Sequence, residues 1–351
     1  MTRIALDAMG GDNAPGEIVK GAVRAATDLA DVKILLVGQL SPIQAVLDGL
    51  DSNLKADAQR AIEGGRLEII HAPDIAEMDE SPVDAVRKKK DCSINVAMRL
   101  VKEGRADAFL SAGNSGAVAT SAIFNLGRIP GVARPAIAMT LPTREPGRPL
   151  LLLDAGANMD CHPDWLVQFA IMGNAYSHAV LKRETPVVGL ISIGTEDCKG
   201  NEMTKETFPL LKQVKDINFI GNIEGHDFFN GGVDVAVCDG FVGNVVLKTT
   251  ESIAKAISFW LKRELTTSWF RKICALMLKP AFSSLKRQMD PDIYGGAPLL
   301  GVPGAVIITH GNSSHKTIFY AIKAAVSAAK ADVSGTIARA ISENAEDGKQ
   351  K

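Results

Sequence analysis

"RIALDAMGGDNAPGEIVKGAVRAATDLA", Arg3 to Ala30, changes its periodicity halfway along. It opens as a short aliphatic run that ends at Asp7 and closes, from Gly16 onward, with apolar residues at helical spacing. Between them lies a loop of Gly, Asp and Asn, so the stretch reads as strand, polar loop and helix. The same signals recur down the chain. Aliphatic runs stand at "VKILLVG" (32–38), "LEIIHAP" (67–73), "DAFLSAG" (107–113), "PLLLLDAG" (149–156), "PVVGLISIG" (186–194), "INFIGNIEG" (217–225), "DVAVCDG" (234–240) and "GAVIITHG" (304–311). Their apolar residues are nearly continuous rather than alternating, as strands buried on both faces require. The expectation is an α/β fold, a three-layer α/β/α sandwich around a mainly parallel sheet.

Most of these strands exit into loops of Gly with Asn, Asp, Ser or Thr. In an open parallel sheet such exits gather along one crevice, where ligands bind. Glycine lets the backbone approach a ligand, and a following helix offers free N–H groups, so the loops suit an anion, phosphate above all.

Composition excludes several classes. The 39 basic and 40 acidic side chains balance, which argues against nucleic acid as a partner. No apolar run reaches the roughly 20 residues that cross a bilayer, and the N-terminus lacks an apolar signal region, so a cytoplasmic location is expected. Five scattered cysteines without a C-x-x-C pair suggest neither disulfides nor structural zinc. Neither G-x-G-x-x-G nor G-x-x-x-x-G-K-[ST] occurs, "AGNSGA" falls short of a serine-hydrolase elbow, and no H-E-x-x-H stands near the histidines. No metal and no cofactor is expected.

The blocks "DAMGGDNAPGEIVKGA" (7–22), "SAGNSGAV" (111–118), "LLLDAGANMDCHPDWLVQFAIMGNAY" (151–176), "IGTEDCKGNE" (193–202), "FIGNIEGHD" (219–227), "DVAVCDGFVGNVVLKTTE" (234–251) and "YGGAPLLGVPGAVIITHGNSS" (294–314) occur in order. Together they resemble the acyl-carrier-protein:phosphate acyltransferase family (PlsX) of bacterial phospholipid synthesis, over about residues 2–330. Ser115, where Thr is more usual, keeps the hydroxyl; Gly295, where Asn often follows the Tyr, loses an amide. The resemblance implies transfer of a long acyl chain from acyl carrier protein to inorganic phosphate, with acyl phosphate passed to a membrane glycerol-3-phosphate acyltransferase. It implies a fold like that of phosphotransacetylases and isopropylmalate-type dehydrogenases, and a homodimer. One catalytic domain over 1–335 is expected, with a helical projection at about 250–290 and a polar C-terminal tail over 336–351.

Phosphate attack on a thioester needs positioning and charge stabilisation more than a side-chain nucleophile. Given that reaction, phosphate is placed on Ser111, Asn114, Ser115 and Gly116, with Gly10, Gly11 and Asn13 as a second wall; helix capping is the alternative role for these polar groups. Lys199 is the leading catalytic cation. Asn158, Asn222, Asn244 and His310 are oxyanion donors or thiol-side acids, and Asn244 is also counted among the phosphate ligands. Asp7, Asp154 and Asp239 end strands and orient these donors. The run Arg87, Lys88, Lys89 and Lys90 is either a solvated face or a docking patch for the acidic carrier.

"SWFRKICALMLKPAF" (268–282) lies in a locally basic region, with eight basic and two acidic residues between Glu251 and Arg287. On a helical wheel Trp269, Phe270, Ile273, Leu276 and Met277 share one side, and Pro280 is expected to end the helix. About 18 Å of helix cannot span a membrane, so the segment is read as a contact with the anionic inner leaflet, or as dimer or core packing. A phosphotransacetylase using acyl-CoA, a dehydrogenase of related fold, and a non-catalytic carrier-protein adaptor are the rival readings.

Overall fold

A computed structural model describes residues 1–288 and 291–347. Its eleven strands, β1 (Thr2–Asp7), β2 (Val32–Gly38), β3 (Leu67–His71), β4 (Ala108–Ser111), β5 (Ala136–Leu141), β6 (Leu150–Leu153), β7 (Val187–Ile191), β8 (Asn218–Ile223), β9 (Val235–Val237), β10 (Ala297–Leu300) and β11 (Ala305–Ile308), form one sheet. The order is β3-β2-β1-β4-β11-β10-β5-β6-β9-β7-β8. Each strand expected from sequence is present, and the α/β/α expectation holds.

Two strands were not anticipated, and they decide the topology. The set β3-β2-β1-β4-β11 is parallel throughout, as is β6-β9-β7-β8. Between them β10 runs antiparallel to both β11 and β5, and β5 antiparallel to β6. Three reversals leave the two parallel sets pointing in opposite directions. The expectation that all the glycine loops gather at one edge therefore fails, because the strand exits of the two sets face opposite ways.

Alternation along each strand fills two layers. Ile4 and Leu6 of β1 enter one core with Ile18 and Val19 of the Gly16–Asp28 helix and Ile318 and Ile322 of the His315–Lys330 helix. Ala5, between them, faces the other core with Ile94 and Met98 of the Ser93–Lys102 helix. Likewise Leu151 and Leu153 of β6 turn one way, while Leu150 and Leu152 turn toward Leu247 of the Gly240–Leu265 helix.

The polar tail expected after residue 335 is instead mostly part of a helix, Val333–Asp347. Its Ile337 and Ile341, four apart on one face, are 1% and 4% exposed and join the main core. Burial on that scale stabilises by about 1.5–3 kcal/mol per side chain. Residues 348–351 lie outside the described residues.

The projection exists, with different joints. The Gly240–Leu265 helix is followed by Trp269–Met277 and Lys279–Gln288. Pro280 sits in the first turn of the last helix, where its missing N–H costs nothing, instead of ending the one before it. Residues 289 and 290 of the expected span are outside the described residues. No helix among the described residues is long and apolar enough to cross a membrane.

Candidate active site

Three strand exits of the first parallel set are knotted together by a buried carboxylate. Asp7, wholly buried at the end of β1, accepts a 2.6 Å hydrogen bond from the Ser111 hydroxyl at the end of β4 and another from the Met9 amide. The Ser111 hydroxyl in turn accepts from the Gly113 amide at 2.9 Å. Burial pushes the Asp7 carboxyl up from its ordinary range, against these hydrogen bonds. Gly10 is required here: a Cβ would stand 2.4 Å from Asp7 Oδ2 and 2.8 Å from the Gly113 amide nitrogen. The loop after β11 closes the knot, with Gly311 accepting from the Asp12 amide at 2.7 Å. Gly10, Gly11 and Ser111 are thus brought together, while the Asn13 side-chain amide reaches the Ser313 carbonyl and the Ser111 hydroxyl donates to Asp7.

Asn114 caps the Ser115–Asn125 helix by accepting from the Ala117 amide, and its own amide binds the Met78 carbonyl. The capping role is the one its side chain shows. Gly116, in the first turn, packs on Pro82.

The β6 exit is built on a second buried carboxylate. Asp154 accepts from the amides of Ile137, Gly156, Ala157 and Asn158 and from the Asn158 side chain. Asn158 Nδ2 donates to Asp154 at 2.9 Å and to the Pro135 carbonyl at 2.8 Å. Both of its protons are committed to holding the loop, so its geometry is that of a positioning residue, not a free oxyanion donor. Asp239 caps the Gly240–Leu265 helix through the Val242 amide and carries Asn244 into place.

Where these two loop systems approach across β5, β10 and β11, a cavity of about 210 Å³ opens. Ser115, Asn244, Lys248, Thr309 and His310 are among its polar groups, with Thr140, Tyr294 and Thr317. Ile137, Met139, Ala155, Leu247, Ala297 and Ile308 supply an apolar lining. His310 Nε2 lies 3.2 Å from Glu251, which also meets Lys248 at 3.3 Å, so a carboxylate links the two basic groups. Lys248 and Thr309 were not anticipated from sequence. The signal for Lys248 was its position four residues after Asn244, on the same helix face; Thr309 closes a strand and had none.

Lys199 and Asn222 belong elsewhere. They lie at the exits of β7 and β8, where Lys199 is exposed and Asn222 donates to the Glu196 carbonyl. Neither lines the cavity. Of the basic run, Lys89 is half-buried and paired with Glu80 at 2.6 Å, and Lys88 pairs with Asp84. Arg87 stacks over Phe124, and Lys90 is exposed. The described residues hold no group of His, Cys, Asp and Glu able to bind a metal.

The family model described as fatty acid synthesis protein matches residues 2–336. A phosphate acyltransferase of Desulfitobacterium hafniense (strain Y51) is 50% identical over 326 residues, 93% of each chain. One from Thermosynechococcus vestitus is 48% identical and covers 95% of this chain and 94% of its own. Among solved structures, a phosphotransacetylase from Streptococcus pyogenes superposes with a TM-score of 0.61 at 17% identity, covering 97% of this chain and 94% of that one. That likeness is one of fold.

Proposed function

Because the chain belongs to the fatty acid synthesis protein family, we propose that the cavity between the β11 loop and the Gly240–Leu265 helix is where acyl carrier protein delivers a long acyl chain to inorganic phosphate. The protein is an enzyme, a phosphate acyltransferase. The observation that carries the placement is the mixed lining of the cavity: basic groups open to solvent, Lys248 and His310, together with buried Ile137, Ala155, Leu247, Ala297 and Ile308. Phosphate suits these basic groups and the carbonyl end of an acyl chain the buried lining. Lys248 and His310 are the basic groups of that lining, with Ser115 and Asn244 as neutral donors. In this reading Lys199 and Asn222 act outside the cavity or in contact with a partner.

Carrier docking on Arg87, Lys88 and Lys90 is supported by their place beside the Ser115–Asn125 helix; Lys89 is spent on Glu80. Contact with an anionic leaflet, or with a second copy as a homodimer, is supported by Trp269, Phe270, Ile273, Leu276 and Met277, all 50–77% exposed. An active site at the inner face of the membrane would put acyl phosphate beside the downstream acyltransferase.

The test is direct. With long-chain acyl carrier protein and phosphate, the protein is expected to form acyl phosphate and free carrier thiol. Absence of a phosphate-dependent product refutes the reading, and equal use of acyl-CoA assigns the donor to the phosphotransacetylase class.

A further inference from the structure

Thr309, the first residue after β11, lines the cavity and is only 6% exposed, yet its hydroxyl oxygen has no hydrogen-bond partner within the protein's described residues. Its backbone is well held, the amide donating to the Ser111 carbonyl at 2.9 Å. A buried hydroxyl without a partner is costly and uncommon in a folded protein. No group among the described residues takes up the hydroxyl, and the cavity it lines is where a ligand atom could.

We propose that Thr309 Oγ1 is a catalytic donor that hydrogen-bonds the acyl carbonyl oxygen as it gains charge; this rests on the cavity being the phosphate acyltransferase site. The layout separates the two substrates. Lys248 and His310 are 58% and 40% exposed, so the basic groups sit toward solvent, where an incoming phosphate keeps part of its hydration. Thr309 is deeper, beside Ile308 and Ala297, where a neutral carbonyl is the cheaper group to bury. In that drier place a fixed donor acts strongly on developing charge.

The step then balances. An oxygen of HPO4²⁻ bonds to the carbonyl carbon, and the C=O electron pair moves onto the oxygen facing Thr309. The pair returns as the C–S bond breaks, sulfur leaves as thiolate, and the phosphate proton ends on it, giving acyl phosphate and carrier thiol. Thr309 keeps its own proton throughout.

Thr309→Val and Thr309→Ser, made in the full chain, test this with acyl carrier protein and phosphate as substrates. Thr309→Val is expected to lower kcat about 100-fold, the range for losing one oxyanion donor, with KM for phosphate within about twofold. It is also expected to melt no lower than the parent protein, and Thr309→Ser is expected to keep most of the rate. A Thr309→Val enzyme with parental kcat overturns the proposal. So does a lower melting temperature accompanied by a raised KM for phosphate, which would make the hydroxyl structural or a phosphate ligand. If the parent protein forms no acyl phosphate, the reading of the cavity itself fails, a different result from a normal rate in the valine variant.

Discussion

The two ends of the Gly240–Leu265 helix obey opposite rules. At its start the residues facing inward are Gly240, Gly243 and Leu247, all buried, and the backbone is tied down by Asp239 and by the Asn158 carbonyl. Toward its end Ile253, Ile257 and Trp260 recur at helical spacing and are 53%, 51% and 59% exposed. The Trp269–Met277 helix that follows has no buried residue at all. Apolar periodicity therefore identifies a helix face without saying what covers it. Glycine is the better witness of close packing here, because it marks where two backbones must touch.

Gly243 offers the harshest way to break the packed end. A Cβ there would lie 1.8 Å from the Asp154 carbonyl oxygen, a backbone atom with no rotamer to yield. Gly243→Ala is expected to cost about 3 kcal/mol or more, read as a lower urea midpoint, and to abolish turnover by displacing Asn244 and Lys248. An unchanged midpoint would mean that the helix can pivot on its cap, and that the packed end is not the rigid one.

Legibility in the sequence followed the same divide. Nine strands were readable because each is a run of β-branched or aliphatic residues ending in a polar loop. The two that were not, β5 and β10, are "AIAMTL" just after Pro135 and "APLL" with an internal proline, too short or too weakly patterned to stand out. Lys199 and Asn222 share the opening direction of the β6 and β9 loops, but β7 and β8 end the sheet on the side away from β10 and β11, so both residues stand apart from the cavity, a lateral distance that no local pattern encodes. The Val333–Asp347 helix was missed because Ile337 and Ile341 are its only large aliphatics besides Val333, amid Ser, Glu and Asn. Of the residues singled out from type and loop context, Ser115, Asn244 and His310 line the cavity, whereas Gly10, Gly11, Asn13, Ser111, Asn114 and Gly116 do not. The burial of Thr309 and the link from Glu251 to both basic groups are tertiary facts with no local signature.

At the open end, Leu276→Glu sharpens the comparison from the other side. Leu276 is 68% exposed, so the substitution is expected to leave the melting temperature and turnover of dissolved substrate unchanged. If this face meets lipid, exchanging a buried leucine for a charge costs at least 1.5 kcal/mol, hence a tenfold or greater loss of binding to anionic vesicles in a sedimentation assay. Parental vesicle binding together with a lower melting temperature would turn the face into a packing surface.

The smallest effect separates an ion pair of the packed region from one of the projection. Glu17 accepts from the His315 amide at 2.8 Å, from the His315 ring at 2.6 Å and from Lys20 at 3.0 Å, which fastens the first turn of the Gly16–Asp28 helix to the start of the His315–Lys330 helix. Partial burial opposes ionisation, but these donors outweigh it and hold the carboxyl down at about 2, against an ordinary value of 4.5. A carboxyl lowered by folding stabilises fully above its unfolded pKa and loses that contribution as pH falls toward the folded one. The Glu17 contribution is therefore complete above about pH 4.5 and gone near pH 2. In the projection, Arg271 meets Glu264 at 3.1 Å with both side chains more than half exposed, a pair that water screens almost completely. Glu17→Gln is expected to cost about 1 kcal/mol at pH 7 and nothing near pH 2, whereas Glu264→Gln is expected to be neutral at both. Urea titrations of the two variants across that range check the difference. A pH-independent loss in Glu17→Gln would assign its effect to shape instead of charge, and an equal loss in Glu264→Gln would erase the distinction between the two ends.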